Sequence, residues 1–209
     1  MFEGLSVALS DHPTTLIFGR EYLTETLLDC KFQVSSQSFF QVNTPAAEVL
    51  YRTSIDELKS STVENKSATE SESISAAHSP VNCILDICCG TGTIGICASK
   101  LLQDTSDSSD SKAKNVIIGV DICATAIDNA NKNATLNEIA LHGVASPSSN
   151  TTASFVCSKA EAILGNLLRK KRTGESYDST IMGLRTLLPT GTDGEYYAIV
   201  DPPREGMFA

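Results

Sequence analysis

The sequence predicts an α/β domain built on a parallel sheet, and three observations carry that expectation. Short apolar segments of strand character alternate with segments of helical composition from residue 82 to residue 200. A glycine-rich stretch, Gly90-Thr91-Gly92-Thr93-Ile94-Gly95, joins the first of these strands to the first helix. Acidic residues stand where three of the strands end, at Asp86, Asp121 and Asp201. Strand and helix taking turns implies crossover connections and parallel pairing.

Composition fits a folded chain of this kind. Of 209 residues, 41% are hydrophobic and 20% charged, as expected of one globular domain. No apolar run approaches the roughly 20 residues of a membrane helix, and the N-terminus lacks a basic region followed by a long apolar one. The seven cysteines are odd in number and lack chelating spacing, so the expectation is reduced thiols and no metal site. That points to an intracellular protein, cytoplasmic or nuclear, with a mitochondrial location left open. With 25 acidic and 16 basic residues, the net charge of -9 would repel a phosphate backbone, so an RNA substrate would need a binding surface elsewhere.

In chain order, residues 1–43 read as the end of a preceding β-rich segment. Leu27 to Val34 has the alternation of a single half-buried strand, Cys30, Phe32 and Val34 against Lys31 and Gln33, and leads into Phe39-Phe40-Gln41-Val42-Asn43. Thr44-Pro45 offers a cap and an early helical proline, opening a connecting helix over 44–59. Residues 60–79, mostly Ser, Thr, Glu, Ala, Lys and Asn, cannot bury enough surface to offset their ordering entropy and read as a mobile insertion. Residues 80–209 carry the alternating part. Its strands are Asn82 to Ile87, Asn115 to Val120, Ser154 to Cys157 and Tyr196 to Val200, and its helices are Thr93 to Leu102, Ala124 to Asn137 and Ala160 to Arg169. Polar stretches at 103–114, 143–153 and 170–195 read as surface loops.

Gly90, Gly92 and Gly95 match the dinucleotide pattern G-x-G-x-x-G, which NAD sites and methyl-donor sites share. Asp86 separates them. A pyrophosphate needs free helix amides, whereas S-adenosylmethionine is cationic at its sulfonium and its amine, so a strand-end carboxylate favours the methyl donor. Asp121 is suited to accept hydrogen bonds from ribose hydroxyls or, equally, to cap the next helix. Glu161 falls where an adenine ring would lie and reads equally well as a first-turn acid complementing the helix dipole. In Asp201-Pro202-Pro203-Arg204 the two prolines fix the backbone and hold a carboxylate rigidly at the ligand edge of the sheet. Gln41 carries an amide able to donate and accept at once, as reading a uracil or purine edge requires.

These motifs together resemble the tRNA (uracil-5-)-methyltransferase family, RNA 5-methyluridine methyltransferases of eukaryotic type. The resemblance rests on residues 38–51, beginning Ser38-Phe39-Phe40-Gln41-Val42-Asn43-Thr44-Pro45, on Leu85 to Gly95, and on Asp201-Pro202-Pro203-Arg204-Glu205-Gly206. It implies a class I S-adenosylmethionine-dependent, Rossmann-like fold, here incomplete, with a short N-terminal strand and helix segment. It further implies that Gln41, Cys88, Thr93, Asp121 and Asp201 contact the methyl donor, with Gln41 and Asp201 near the target base and Gly90 and Gly92 shaping the pocket. Asp86 and Glu161 join the donor-binding set on the residue arguments above.

The family's substrate is a uridine in folded RNA, and the T-loop uridine of tRNA is the expected target. Its chemistry needs a cysteine thiolate that adds to carbon-6 of uracil and a base that removes the carbon-5 proton. In relatives these lie in a Ser-Cys-Asn-Pro motif after the Asp-Pro-Pro-Arg element and near the C-terminus. The sequence ends at Ala209 before either, so the 209 residues are expected to bind the donor without turnover. Two alternatives stand beside this reading: a non-catalytic remnant that binds the donor, and a nicotinamide-dependent oxidoreductase favoured by the glycine spacing alone.

Overall fold

A computed structural model describes residues 16–36, 38–69, 81–103, 114–141, 151–165 and 196–202. Four apolar segments form the strands β3 (Val81–Ile87), β4 (Lys114–Asp121), β5 (Thr151–Cys157) and β6 (Tyr196–Val200), all parallel. Their order in space is β5-β4-β3-β6. Counted along this sheet, the chain visits positions 3-2-1-4, the arrangement of a doubly wound Rossmann-like sheet, with its ligand crevice at the carboxyl ends of the strands. The register puts Asp86 opposite both Gly119 and Ile199, and Gly119 opposite Phe155.

Alternate side chains divide the core into two layers. On one face Ile84, Ile117, Ala153 and Phe155 join Ile94, Cys97 and Ala98 of α2 (Thr93–Gln103) and Ile127, Ala130 and Ala134 of α3 (Ala124–Leu136). On the other, Cys83, Leu85, Ile87, Ile118 and Val120 surround Ile163, which lies in a short helical segment at 160–165. The expected helix there continued to Arg169, and 166–169 lie outside the described residues. So do 104–113, 142–150 and 166–195, which hold most of the expected surface loops, although β5 begins at Thr151, inside the stretch read as loop.

The N-terminal part departs from its sequence reading in three places. Leu27 to Val34 is not one strand: β1 (Tyr22–Leu27) and β2 (Cys30–Ser35) form an antiparallel hairpin closed by Leu28 and Asp29 at φ 49° and 62°. A two-residue hairpin turn needs positive φ at both central residues, and a Leu-Asp pair gives little signal of that. α1 (Thr44–Thr69) runs ten residues beyond its expected end at 59, into the Ser/Glu-rich stretch. Elongating an existing helix costs far less than nucleating one, and Glu, Lys and Ala are good helix formers. Residues 70–80 lie outside the described residues. Finally, the cap of α1 is Asn43, whose Oδ1 accepts from the Ala46 amide at 3.2 Å, and not Thr44, which is the first helical residue.

The hairpin is fastened to α3 by three asparagines one turn apart. Asn137 accepts from the Lys31 amide at 2.8 Å and donates to the Lys31 carbonyl at 2.6 Å. Asn133 accepts from the Gln33 amide at 2.8 Å and donates to the Gln33 carbonyl at 3.5 Å. Asn129 donates to the hydroxyls of Ser35 at 3.3 Å and Ser38 at 3.1 Å. Four residues of helix rise about 6 Å and two residues of strand about 6.7 Å, so the two repeats stay in step over three contacts. Asn137 and Asn133 thus serve the backbone edge of β2 as a neighbouring strand would, and Asn129 holds side-chain hydroxyls at its end, with a net value of about 1 kcal/mol per bond.

Phe155 sets a tight packing limit. A Cβ on Gly119 would lie 2.4 Å from Phe155 Cδ1, and one on Gly92 would lie 2.9 Å from Phe155 Cε1. Gly119→Ala is therefore expected to destabilise the protein by about 1–3 kcal/mol, the range for overpacking a filled core, read as a lowered melting temperature. Phe155→Leu in the same chain should recover part of the loss. An unchanged melting temperature for Gly119→Ala would contradict the packing described.

Candidate functional site

The chain leaves β3 through a turn that requires unusual backbone. Cys88, Gly90 and Gly92 have φ of 63°, 53° and 79°, a region costly for any side chain at Cys88 and free for the two glycines. Groups along the turn are held individually. Cys89 donates its amide to Val120 O at 3.1 Å, Gly90 donates to Asp121 Oδ2 at 2.9 Å, and Gly92 donates to Cys89 O at 2.8 Å. The Thr91 carbonyl accepts from Asn133 Nδ2 at 3.3 Å, and the Gly95 amide in the first turn of α2 donates to Asp86 Oδ2 at 2.8 Å.

Asp86 is 1% exposed and its second oxygen, Oδ1, is buried without a hydrogen-bond partner, as is Thr91 Oγ1. Burial raises the Asp86 carboxyl to about 7; the Gly95 amide opposes the rise, and Asp201 and Asp121 add to it. Asp121 uses Oδ1 to accept from the Cys123 amide at 2.9 Å as well as Oδ2 for Gly90. It braces both loops rather than capping α3, whose N-cap residue is Cys123. Asp201 is exposed and continues the β6–β3 ladder by donating its amide to Ile87 O at 3.3 Å.

Cys88, half-buried at the mouth, reports how these acids are disposed. Burial raises its thiol above the ordinary range, and Asp121, Asp201, Asp86 and Glu161 all push it further in the same direction. Asp86 and Asp121 bond the turn directly, and Asp201 and Glu161 lie within electrostatic reach of Cys88. Glu161 sits exposed in the helical segment at 160–165. Gly90 borders open space, with no atom within 4 Å of where its Cβ would be.

Thr93 opens α2 and meets the hydroxyl of Tyr51 from α1; Tyr51 is 3% exposed, and burial raises its hydroxyl despite the hydrogen bond with Thr93. Gln41 lies half-buried on the linker from β2 to α1, between Ser38, held by Asn129, and Asn43, the cap of α1. Its neighbour Phe40 packs on Phe32 with ring centroids 5.8 Å apart. Among the described residues no hydrogen bond joins Gln41 to the carboxylates; the contact between α1 and the site runs through Tyr51 and Thr93. Pro202 is described and exposed, while Pro203 and Arg204 lie outside the described residues. Two contributors escaped the sequence reading, Tyr51 and Asn133. The spacing Asn129, Asn133, Asn137 was the available signal for the second.

Chemically the site is an acidic, partly dry rim around a glycine turn. Its turn amides at Gly90 and Gly95 are already given to Asp121 and Asp86, which removes two of the donors that a pyrophosphate would need and adds negative charge against it. A cation is the matching ligand.

The rise at Asp86 makes stability depend on pH. A carboxyl raised above its ordinary unfolded value contributes stability that is fully present below about 4 and is lost as pH rises through about 7. Asp86→Asn, which keeps the acceptor for Gly95, is expected to flatten the fall in stability between pH 5 and pH 8, by on the order of 3 kcal/mol. Urea denaturation at the two pH values measures it. Parallel slopes for both proteins would count against a neutral Asp86.

No family model matches the chain. Human tRNA (uracil-5-)-methyltransferase homolog B is 34% identical over 164 residues, covering 78% of this chain and 24% of that protein. The putative RNA methyltransferase R405 of Acanthamoeba polyphaga mimivirus is 30% identical over 192 residues, covering 92% and 36%. The crystal structure of Pyrococcus abyssi tRNA (uracil-54, C5)-methyltransferase in complex with S-adenosyl-L-homocysteine aligns at TM-score 0.44 and 20% identity, covering 91% of this chain and 30% of that one. The chain spans about a quarter of the length of the curated homolog B proteins it matches. On that likeness the chain belongs to the tRNA (uracil-5-)-methyltransferase family.

Proposed function

We propose that this chain binds S-adenosylmethionine at the carboxyl end of β3 and β4, and forms the donor-binding part of an enzyme that methylates carbon-5 of uridine in RNA. The proposed target is the T-loop uridine of tRNA, in an intracellular compartment. One observation carries the reading: Asp86 and Asp121 take the amides of the glycine turn beside the open face of Gly90, with Asp201 and Glu161 within electrostatic reach of Cys88. The names of the relatives, tRNA (uracil-5-)-methyltransferase and RNA methyltransferase, support it.

The residues present fit the donor. Its two positive centres suit an acidic rim, and the unpartnered Asp86 Oδ1 and Thr91 Oγ1 retain hydrogen-bonding capacity inside it. Asp121 keeps free lone pairs on both oxygens after serving Gly90 and Cys123, enough for ribose hydroxyls. The bound donor supplies an electrophilic methyl group. Asp201, exposed at the end of β6, and the Gln41 amide are the groups proposed to meet a target base.

Attack on uracil requires a thiolate. Burial first and then the neighbouring carboxylates raise the thiols of Cys88 and Cys89, which keeps both protonated and unsuited to that attack. The glycine turn therefore acts in donor binding and not in attack on uracil, and the net charge of -9 supports an RNA-holding surface in other regions.

Calorimetry with S-adenosylhomocysteine is expected to show one site per chain, weakened about tenfold or more in Asp121→Ala, the range for losing hydrogen bonds to a charged group. NAD should give no heat. Binding of NAD without S-adenosylhomocysteine would restore the oxidoreductase alternative and sink this one. With labelled S-adenosylmethionine and tRNA, the 209 residues alone should transfer no label; transfer would overturn the roles given to Cys88 and Cys89.

A further inference from the structure

We propose that Asn133 is a positioning residue that locks the glycine turn and the β1–β2 hairpin into one unit, so that the hairpin's docking and the turn's shape are set together. The coupling of this unit to ligand rests on the donor-binding reading above; the coupling itself does not.

Asn133 is completely buried on α3 and makes hydrogen bonds in two directions. Toward the hairpin its Oδ1 accepts from the Gln33 amide at 2.8 Å and its Nδ2 reaches the Gln33 carbonyl at 3.5 Å. Toward the turn the same Nδ2 donates to the Thr91 carbonyl at 3.3 Å. Thr91 C=O and Gly92 N–H belong to a single peptide unit, and the Gly92 amide is itself given to Cys89 O at 2.8 Å. That peptide is thus held at both ends, and it lies between the two glycines whose positive φ shapes the turn.

A side-chain amide has a fixed geometry of one acceptor and two donors. When Gln33 shifts, Asn133 must rotate or part from Thr91, leaving a polar group unpaired where no water reaches it. Asn137 and Asn129 lack this second attachment: Asn137 binds Lys31 and the Asn133 carbonyl, and Asn129 binds Ser35 and Ser38. They steady the hairpin, while Asn133 also steadies the turn. The hairpin runs on to the linker bearing Gln41, so the same lock relates the donor loop to the segment proposed to meet the base.

Amide hydrogen exchange on the full chain without ligand tests the lock. Asn133→Asp keeps an acceptor for Gln33 and loses the donor to Thr91. It is expected to speed exchange at Gly92 about tenfold, within the usual range of coupling between sites, while amides of β4 such as Ile117 exchange as before. Asn129→Ala, a half-buried position outside the core, should loosen the hairpin and raise exchange at both Gln33 and Gly92 if Asn133 transmits the change. Faster exchange at Gln33 with Gly92 unaltered in both variants would overturn the proposal, as would a uniform rise that includes β4. Where S-adenosylhomocysteine binds, it should slow exchange at Gln33 in the unaltered chain and fail to do so in Asn133→Asp; bound ligand with Gln33 unaffected counts against the lock. Absence of binding would refute the donor reading and leave the ligand-free exchange to decide the lock.

Discussion

Carboxylates collected at one end of a parallel sheet repel one another, and backbone amides of the glycine turn are what allow them to stay together. Asp86 takes the Gly95 amide, and Asp121 takes those of Gly90 and Cys123. Each bond lowers the cost of holding charge or potential charge near a dry interior, and Asp86, the deepest of the group, responds first to its burial and then to the remaining repulsion by holding its proton up to about 7. The turn in return acquires its shape from the acids. Without Asp121 the Gly90 amide would have no side-chain acceptor, and the loop would keep only the Cys89–Val120 bond to β4.

The same arrangement explains why the glycine pattern alone misleads. A turn of this spacing can cradle a phosphate only if its amides point free into the crevice. Here two of them are directed at internal carboxylates, and the acids that occupy them turn the field of the crevice toward cations. Fold and ligand class are decided separately: the parallel sheet makes the crevice, and the side chains at the strand ends choose the sign of charge that enters it.

Packing supports this chemistry from behind. Phe155 of β5 fills the volume above Gly119 and presses against Gly92, so the turn rests on an aromatic ring instead of on solvent. Tyr51 brings α1 against Thr93, and the asparagine row fastens the hairpin on the other side. The glycine turn and the hairpin are in this way parts of one packed unit, although they are distant in sequence.

The sequence by itself determined the alternation of strands and helices, the site of the glycine turn and the strand-end positions of Asp86, Asp121 and Asp201. These are local properties: apolar periodicity, positive-φ glycines and strand-end residues are written within a few positions of one another. Only the tertiary structure decided that Leu28 and Asp29 reverse the chain, that α1 continues to Thr69, and that Asn133 reaches both Gln33 and Thr91. Each of those depends on a partner far along the chain or on a backbone state that the residue types do not announce. A buried asparagine in a helix reads as a propensity defect until the strand edge that it completes, 100 residues away, is in place.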